Sequence, residues 1–194
     1  CRLPARGRGR AHGRRQDDLE ARLESEHHVH AAVAVDIGQG SNTIMLQICA
    51  DALGLPTTDF SLVLGDTDLT ADAGKTSASR QTFVSGKAAF LAGQNLRAEI
   101  LRMANVGDAA TLRLEGATIA VSDDERVTHI ALSTLPIVDD EGTVLQGEGT
   151  FDPPTTPLDA DGQGNPYATY GFAAQIGDLD VDMELGTVHL RRIV

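Results

Sequence analysis

The sequence predicts a mixed α+β fold, with irregularly ordered strands and two main helices. Three observations carry that expectation. Short apolar, β-branched runs stop at Gly or Asp turns, and two longer segments keep a helical apolar period. The end of the chain alternates apolar with acidic residues, as a hairpin does. There is no repeated strand–helix period and no low-complexity tract.

Residues 31–37 read as a buried strand ending at Gly38, and Gly38-Gln39-Gly40 as a turn. Ser41 or Asn42 suits the N-cap of a helix over 43–53, with Ile44, Leu46, Ile48 and Leu53 apolar and Gly54 at its end. Pro56 closes the loop before a second strand at 60–64, and a polar loop then runs to about Ser79. Residues 81–104 carry a helical pattern of Phe83, Ala88, Leu91, Leu96, Ile100 and Met103. Gly86 and Gly93 each cost that helix about 1 kcal/mol relative to alanine, so they imply close packing or a break.

Residues 111–121 and 127–133 are strand-like, with a charged turn at Asp123-Asp124-Glu125. A Gly/Pro-rich connection is expected over 147–166. In the last segment Ile176, Leu179, Val181 and Met183 oppose Asp178, Asp180 and Asp182. A turn at 184–186 leads to a partner strand over 187–194, with Val188 and Leu190 expected inward.

Length and charge bound the function. At 194 residues, 41% of them hydrophobic, the chain can bury a real core in one domain or two small ones. No run approaches the roughly 18 apolar residues of a membrane span, so a soluble, cytoplasmic protein is expected, with the export of a complete protein left open. Residues 1–30 hold seven Lys and Arg against five acids, and the rest holds nine against 23. Such an acidic body repels phosphate backbones, and the basic start has no aromatic residue for stacking, so no nucleic-acid partner is expected.

Residues 1–30 read as an atypical segment outside the fold: Arg/Gly-rich at first, then a short charged surface helix. The organised domain is expected over 31–194. His27, His28 and His30 lack a scaffold that would converge them on zinc and read as a solvated loop. Arg14-Arg15 is followed by no apolar stretch, which argues against a twin-arginine signal. Cys1 and Cys49 are too few for a disulfide framework or a four-thiolate cluster, and Cys49 reads as a buried structural thiol.

Two segments could meet a ligand. In Gly38-Gln39-Gly40 the glycines let a backbone approach closely, Gln39 both donates and accepts, and the N–H groups opening the next helix suit an anion. Taken alone, glycines needed only for turn dihedrals are the commoner explanation. The second segment, Gly74-Lys75-Thr76-Ser77-Ala78-Ser79-Arg80-Gln81-Thr82, gathers hydroxyls, a guanidinium and an amide before the long helix. Capping of that helix by Ser79 is an equal alternative. The two segments could face one another around a polyanionic cofactor.

Ala34-Val35-Asp36-Ile37-Gly38-Gln39-Gly40-Ser41-Asn42-Thr43, then Gln47-Ile48, Leu53-Gly54-Leu55-Pro56, Asp66, Thr76-Ser77-Ala78-Ser79-Arg80 and Gly86-Lys87-Ala88, resemble a molybdopterin-binding region of the xanthine dehydrogenase/aldehyde oxidase family of molybdenum hydroxylases. Gly164-Asn165-Pro166-Tyr167-Ala168-Thr169-Tyr170-Gly171-Phe172 and the hairpin after it resemble the same large subunit, in the same order. The resemblance implies molybdopterin, plain or as the cytosine dinucleotide, touched by Gly38, Gln39 and Gly40 on one side and by Ala78, Ser79, Arg80 and Gln81 on another. Ser77 and Ala78 would lie near the metal and substrate.

It further implies an oxidoreductase that hydroxylates aldehydes or heteroaromatic carbons with oxygen from water. Its partners would be the remainder of the large subunit, iron–sulfur and flavin (FAD) domains or subunits, and a small-molecule substrate. The family's catalytic glutamate lies beyond residue 194, and its earlier cofactor segment is not matched within residues 1–30. The chain therefore reads as a fragment with no assignable catalytic residue and no metal ligand of its own. Glu148 reads as a surface carboxylate. A non-catalytic α+β domain without cofactor is the alternative. A hydrolase using Ser41 or Ser79 lacks both a Gly-x-Ser-x-Gly elbow and a recognisable His/Asp pair.

Overall fold

A computed structural model describes residues 18–24, 29–33, 35–64, 76–124, 126–138 and 142–194. Among these, nine strands and two α-helices follow in the order β1 (Asp18–Glu24), β2 (Val29–Val33), α1 (Ser41–Leu53), β3 (Phe60–Leu64), α2 (Gln81–Ala104), β4 (Thr111–Glu115), β5 (Thr118–Asp123), β6 (Arg126–Ala131), β7 (Thr143–Thr150), β8 (Gly177–Asp182) and β9 (Thr187–Ile193). The expected α+β class is observed.

The main sheet is ordered β3-β2-β1-β7. β2 and β3 run parallel, and β1 is antiparallel to both of its neighbours. A parallel pair cannot be joined by a tight turn, and α1 supplies the crossover. α1 contacts β2 and β3, and α2 contacts β1 and β7. A smaller sheet, β4-β5-β6, adds Leu112, Ile119, Val121 and Ile130 to the core that Met45, Cys49, Leu53, Ala92, Leu96 and Ile100 build between the helices. Each fully buried Leu or Ile contributes about 1.5–3 kcal/mol.

The helices touch closely and run in the same direction. A Cβ on Gly86 would meet Ile48 at 3.0 Å and Met45 at 3.7 Å. One on Gly93 would meet the Cys49 carbonyl oxygen at 2.7 Å and the Ala52 Cβ at 2.9 Å. Contacts thus advance together along both helices, so their N-termini lie at one end. Gly86 and Gly93 serve close packing without a break, since α2 is continuous for 24 residues.

Several expectations are corrected. The charged stretch read as a surface helix contains β1, which pairs with both β2 and β7. Residues 18–24 and the start of β2 therefore belong to the sheet rather than outside the fold, because backbone pairing on both sides outweighs the poor apolar pattern. His27, His28, Arg14 and Arg15 lie outside the described residues. β2 ends at Val33, not at Ile37. The 111–121 run is two strands, broken by a turn at Gly116, whose φ of +57° suits glycine. The connection expected from 147 begins only after β7, where Gly147 and Gly149 serve helix–sheet contact rather than a turn.

The C-terminal hairpin forms, but Val188 and Leu190 are 61% and 57% exposed, not inward. Alternation tells which face is apolar and not whether anything covers it. Leu179, Val181 and Ile193 are exposed beside them, and a two-stranded hairpin is marginal alone. The isolated chain is expected to self-associate in sedimentation velocity. A monodisperse monomer with one sharp melt would contradict that.

Cys49 is buried, and loss of solvation pushes its thiol up to about 12. In a Cys1→Ser chain, iodoacetamide at pH 8 is expected to leave Cys49 unmodified until urea unfolds the protein. Stoichiometric labelling of the native chain would contradict this burial.

Candidate functional site

The turn before α1 is built around Asp36. Its Oδ1 accepts hydrogen bonds from the N–H groups of Gly38 at 2.7 Å and Gly40 at 3.3 Å, and its Oδ2 from Asn42 at 3.3 Å. The N-cap is Gly40, left-handed and with no side-chain cap from Ser41 or Asn42. The capping role expected of those two falls to Asp36, several residues upstream. The amides thought free to hold an anion at this helix start are in part already taken.

These N–H groups, Gly38 first, lower the Asp36 pKa against an opposing desolvation. A carboxyl depressed in the folded state stabilises the fold above its unfolded pKa of roughly 3.9 and loses that contribution as pH falls through the lower folded value. A carboxyl carbon NMR titration should therefore place the Asp36 midpoint below that of the unfolded chain. A midpoint at or above it would contradict the bonding.

Gln39 is held within the same turn. Its Oε1 accepts from the Ile37 N–H at 2.7 Å, and its Nε2 donates to the Ser41 hydroxyl at 2.9 Å. The side chain is exposed and keeps a second N–H and a further lone pair. Gly38 and Gly40 have φ of +106° and +77°, and no heavy atom lies within 4 Å of a Cβ built on either. Their dihedrals require glycine, and the space outside the turn is open.

The second segment enters α2 in an uncommon way. Ala78 and Ser79 both take left-handed backbone, at φ 60° and 51°. Such conformations cost about 1–2 kcal/mol for each non-glycine residue, and they cluster at binding sites. The N-cap is Arg80, with no side-chain cap, so Ser79 does not cap this helix. Gly74 and Lys75 lie outside the described residues.

The two segments meet. The Thr76 hydroxyl donates to the Val35 carbonyl at 2.8 Å, across 41 residues of sequence. Together with the parallel helices, that bond puts Gly38, Gln39 and Gly40 at the same end of the molecule as Ala78, Ser79, Arg80 and Gln81. Asn42 Oδ1 and Gln81 Nε2, one at each helix start, are buried with no hydrogen-bond partner among the described residues. Glu148 stands apart: it is an exposed strand residue, as expected, and accepts a hydrogen bond from Gln146 Nε2 at 2.8 Å. An open cleft of about 480 Å³ lies near Glu99, Met103, Leu135 and Val144. At 1.5 Å per residue along α2 it is about 27 Å from Gln81, and it brings none of the candidate residues together.

The molybdopterin cofactor-binding domain family matches residues 7–194. The chain belongs to that family.

This molybdopterin cofactor-binding domain is 27% identical over 169 residues to the putative xanthine dehydrogenase molybdenum-binding subunit XdhA of Escherichia coli K12, covering 83% of this chain and 21% of that protein. It is 41% identical over 73 residues to the probable hypoxanthine oxidase XdhD of the same strain, covering 38% and 8%. Its fold is similar to a part of the reconstituted CO dehydrogenase from Oligotropha carboxidovorans, with a TM-score of 0.60, 24% identity and coverage of 91% of this chain and 22% of that one. The aldehyde oxidoreductase from Desulfovibrio desulfuricans ATCC 27774 gives 0.59, 21%, and 91% and 17%. The chain thus spans about a fifth or less of these relatives, and the resemblance to a molybdenum hydroxylase large subunit holds at the level of a fragment.

The residues present fit a pterin cofactor. The Gln39 amide, hydroxyls, open glycine backbone and the Arg80 cation match a ligand with amide-like edges and a phosphate. The sequence alone does not mark Asp36 and Thr76 as the residues that shape and join the segments. The Asp-x-Gly-x-Gly spacing was the available signal for the first, since a short carboxylate can close on amides two and four residues ahead.

Proposed function

We propose that this domain holds molybdopterin between the Gln39 turn and the Ala78–Gln81 segment, as part of a hydroxylase acting on aldehydes or heteroaromatic carbons. The observation that carries the reading is the Thr76–Val35 hydrogen bond, because it joins two small-residue helix entries that sequence leaves 41 residues apart. When bound, the cofactor supplies the metal-centred redox and oxygen-transfer chemistry. The chain's own part is to grip and orient. Gln39 offers an amide edge, Gly38 and Gly40 let the ligand lie close, and Arg80 balances a phosphate. Ser77 and Ala78 face the reacting end. With the Asn42 amide of the first turn and the Gly38 and Gly40 amides before it engaged by Asp36, the anionic end of the ligand is better served beside Arg80.

The cytosine dinucleotide form is compatible with the same grip. The remainder of the large subunit, iron–sulfur clusters and FAD on other domains or subunits, and a cytoplasmic location complete the proposal. No described helix is long and apolar enough to cross a membrane.

The test is cofactor content. The chain, produced in a host that makes molybdopterin, should carry about one molybdenum and one pterin each. Gln39→Ala and Arg80→Ala should lower both about tenfold, which corresponds to about 1.4 kcal/mol for one lost hydrogen bond. Metal- and pterin-free wild-type protein would refute the proposal.

A further inference from the structure

The Gln39 turn has little packing to hold its shape. Both of its glycines face open space, and Gln39 itself is exposed. What restrains it is a set of hydrogen bonds, and three of them end on one side chain. We propose that Asp36 is the positioning residue of the cofactor site, fixing the turn so that Gln39 meets the ligand already in its bound shape. The inference rests on the reading of Gln39 as a cofactor contact.

The geometry separates this role from helix capping alone. A cap needs one bond to the first turn, and the Asn42 N–H provides it. The bonds to Gly38 and Gly40 lie outside the helix and instead clamp the residues on either side of Gln39. With its backbone clamped, the Gln39 side chain spans from the Ile37 N–H to Ser41, which is 3% exposed and anchored at the edge of the core. The free outer edge of the amide is thereby aimed before any ligand arrives, and less ordering remains at binding.

Asp36→Ala removes all three bonds. Asp36→Asn keeps an acceptor for Gly38 and Gly40 and loses the one for Asn42, since its amide nitrogen cannot accept. Hydrogen exchange of the full chain, resolved to the amides of residues 37–42 and of 45–53, is combined with pterin content after expression in a cofactor-competent host. For Asp36→Ala, exchange at 37–42 should quicken tenfold or more, exchange at 45–53 should stay at the wild-type rate, and pterin content should fall at least fivefold. Asp36→Asn should lie between, and it decides the matter if the alanine variant fails to fold.

Wild-type exchange at 37–42 or wild-type pterin content in these variants overturns the inference. So does equal quickening at 45–53, which is the mark of a simple cap. Wild-type chain without pterin would sink the cofactor reading alone, and the exchange arm would still decide whether Asp36 orders the turn.

Discussion

Replacing Gly149 by alanine is expected to destabilise the domain by about 3 kcal/mol, at the upper end of the usual cost of overpacking. A Cβ there would run into the Ala88 carbonyl oxygen and come within 2.5 Å of the Ala92 nitrogen. At Gly147 it would meet the Ala92 carbonyl oxygen, and the Leu96 nitrogen at 2.6 Å. These are backbone atoms of α2, which cannot rotate aside as a side chain can. Relief therefore requires the helix to lift from β7, breaking the Asn95 to Glu148 carbonyl hydrogen bond of 2.6 Å and exposing Leu96. Gly147→Ala should behave alike, and the double variant should not fold. Gly171→Ala is the control: it has open space around it and should shift stability by less than about 0.5 kcal/mol. Urea midpoints measure all three, and a Gly149→Ala midpoint equal to wild type would mean that α2 does not lie on β7 as described.

A second large loss is expected at Arg97. Its Nη1 donates to the Leu53 carbonyl at 3.0 Å, and its Nη2 to the carbonyls of Asp108 at 3.0 Å and Ala110. One guanidinium thus ties the end of α1, the middle of α2 and the approach to β4. Leu53 is the last residue of α1, where carbonyls lack helical partners and a cation is favoured. Hydrogen bonds to a charged donor contribute about 1.5–3 kcal/mol each, and they do not add when shared by one group. Arg97→Met, which keeps the apolar stem, should cost about 3 kcal/mol. Arg97→Lys should recover only part, because an ammonium lacks the planar fork that spans the three oxygens. Full recovery by lysine would show that charge alone matters there.

The legibility of this chain followed the range of the forces involved. α2 was readable because its apolar period reports burial directly, and its observed limits coincide with the expected 81–104. The strand at Phe60–Leu64 was equally plain. β1 was not, since Asp18–Glu24 forms through pairing with strands that begin 5 and 119 residues after its end, and no local pattern encodes a partner that distant. Gly147 and Gly149 looked like turn residues because sequence does not show that a helix lies upon them.

At the candidate site, the small-residue segments and their facing one another could be read, and the bond that joins them could not. Ser41, Asn42 and Ser79 each had a local capping alternative, and the structure gives that role to none of them. The clasp from Thr76 to Val35 is a tertiary event. Only the folded chain displays it.

Whether both segments close on one ligand can be measured directly by comparing amide exchange in cofactor-loaded and cofactor-free chain. The account predicts that residues 37–42 and 77–82 gain protection together on loading, while the β8–β9 hairpin is unchanged. Protection confined to one segment, or spread to neither, would contradict the claim that the two helix starts share a cofactor.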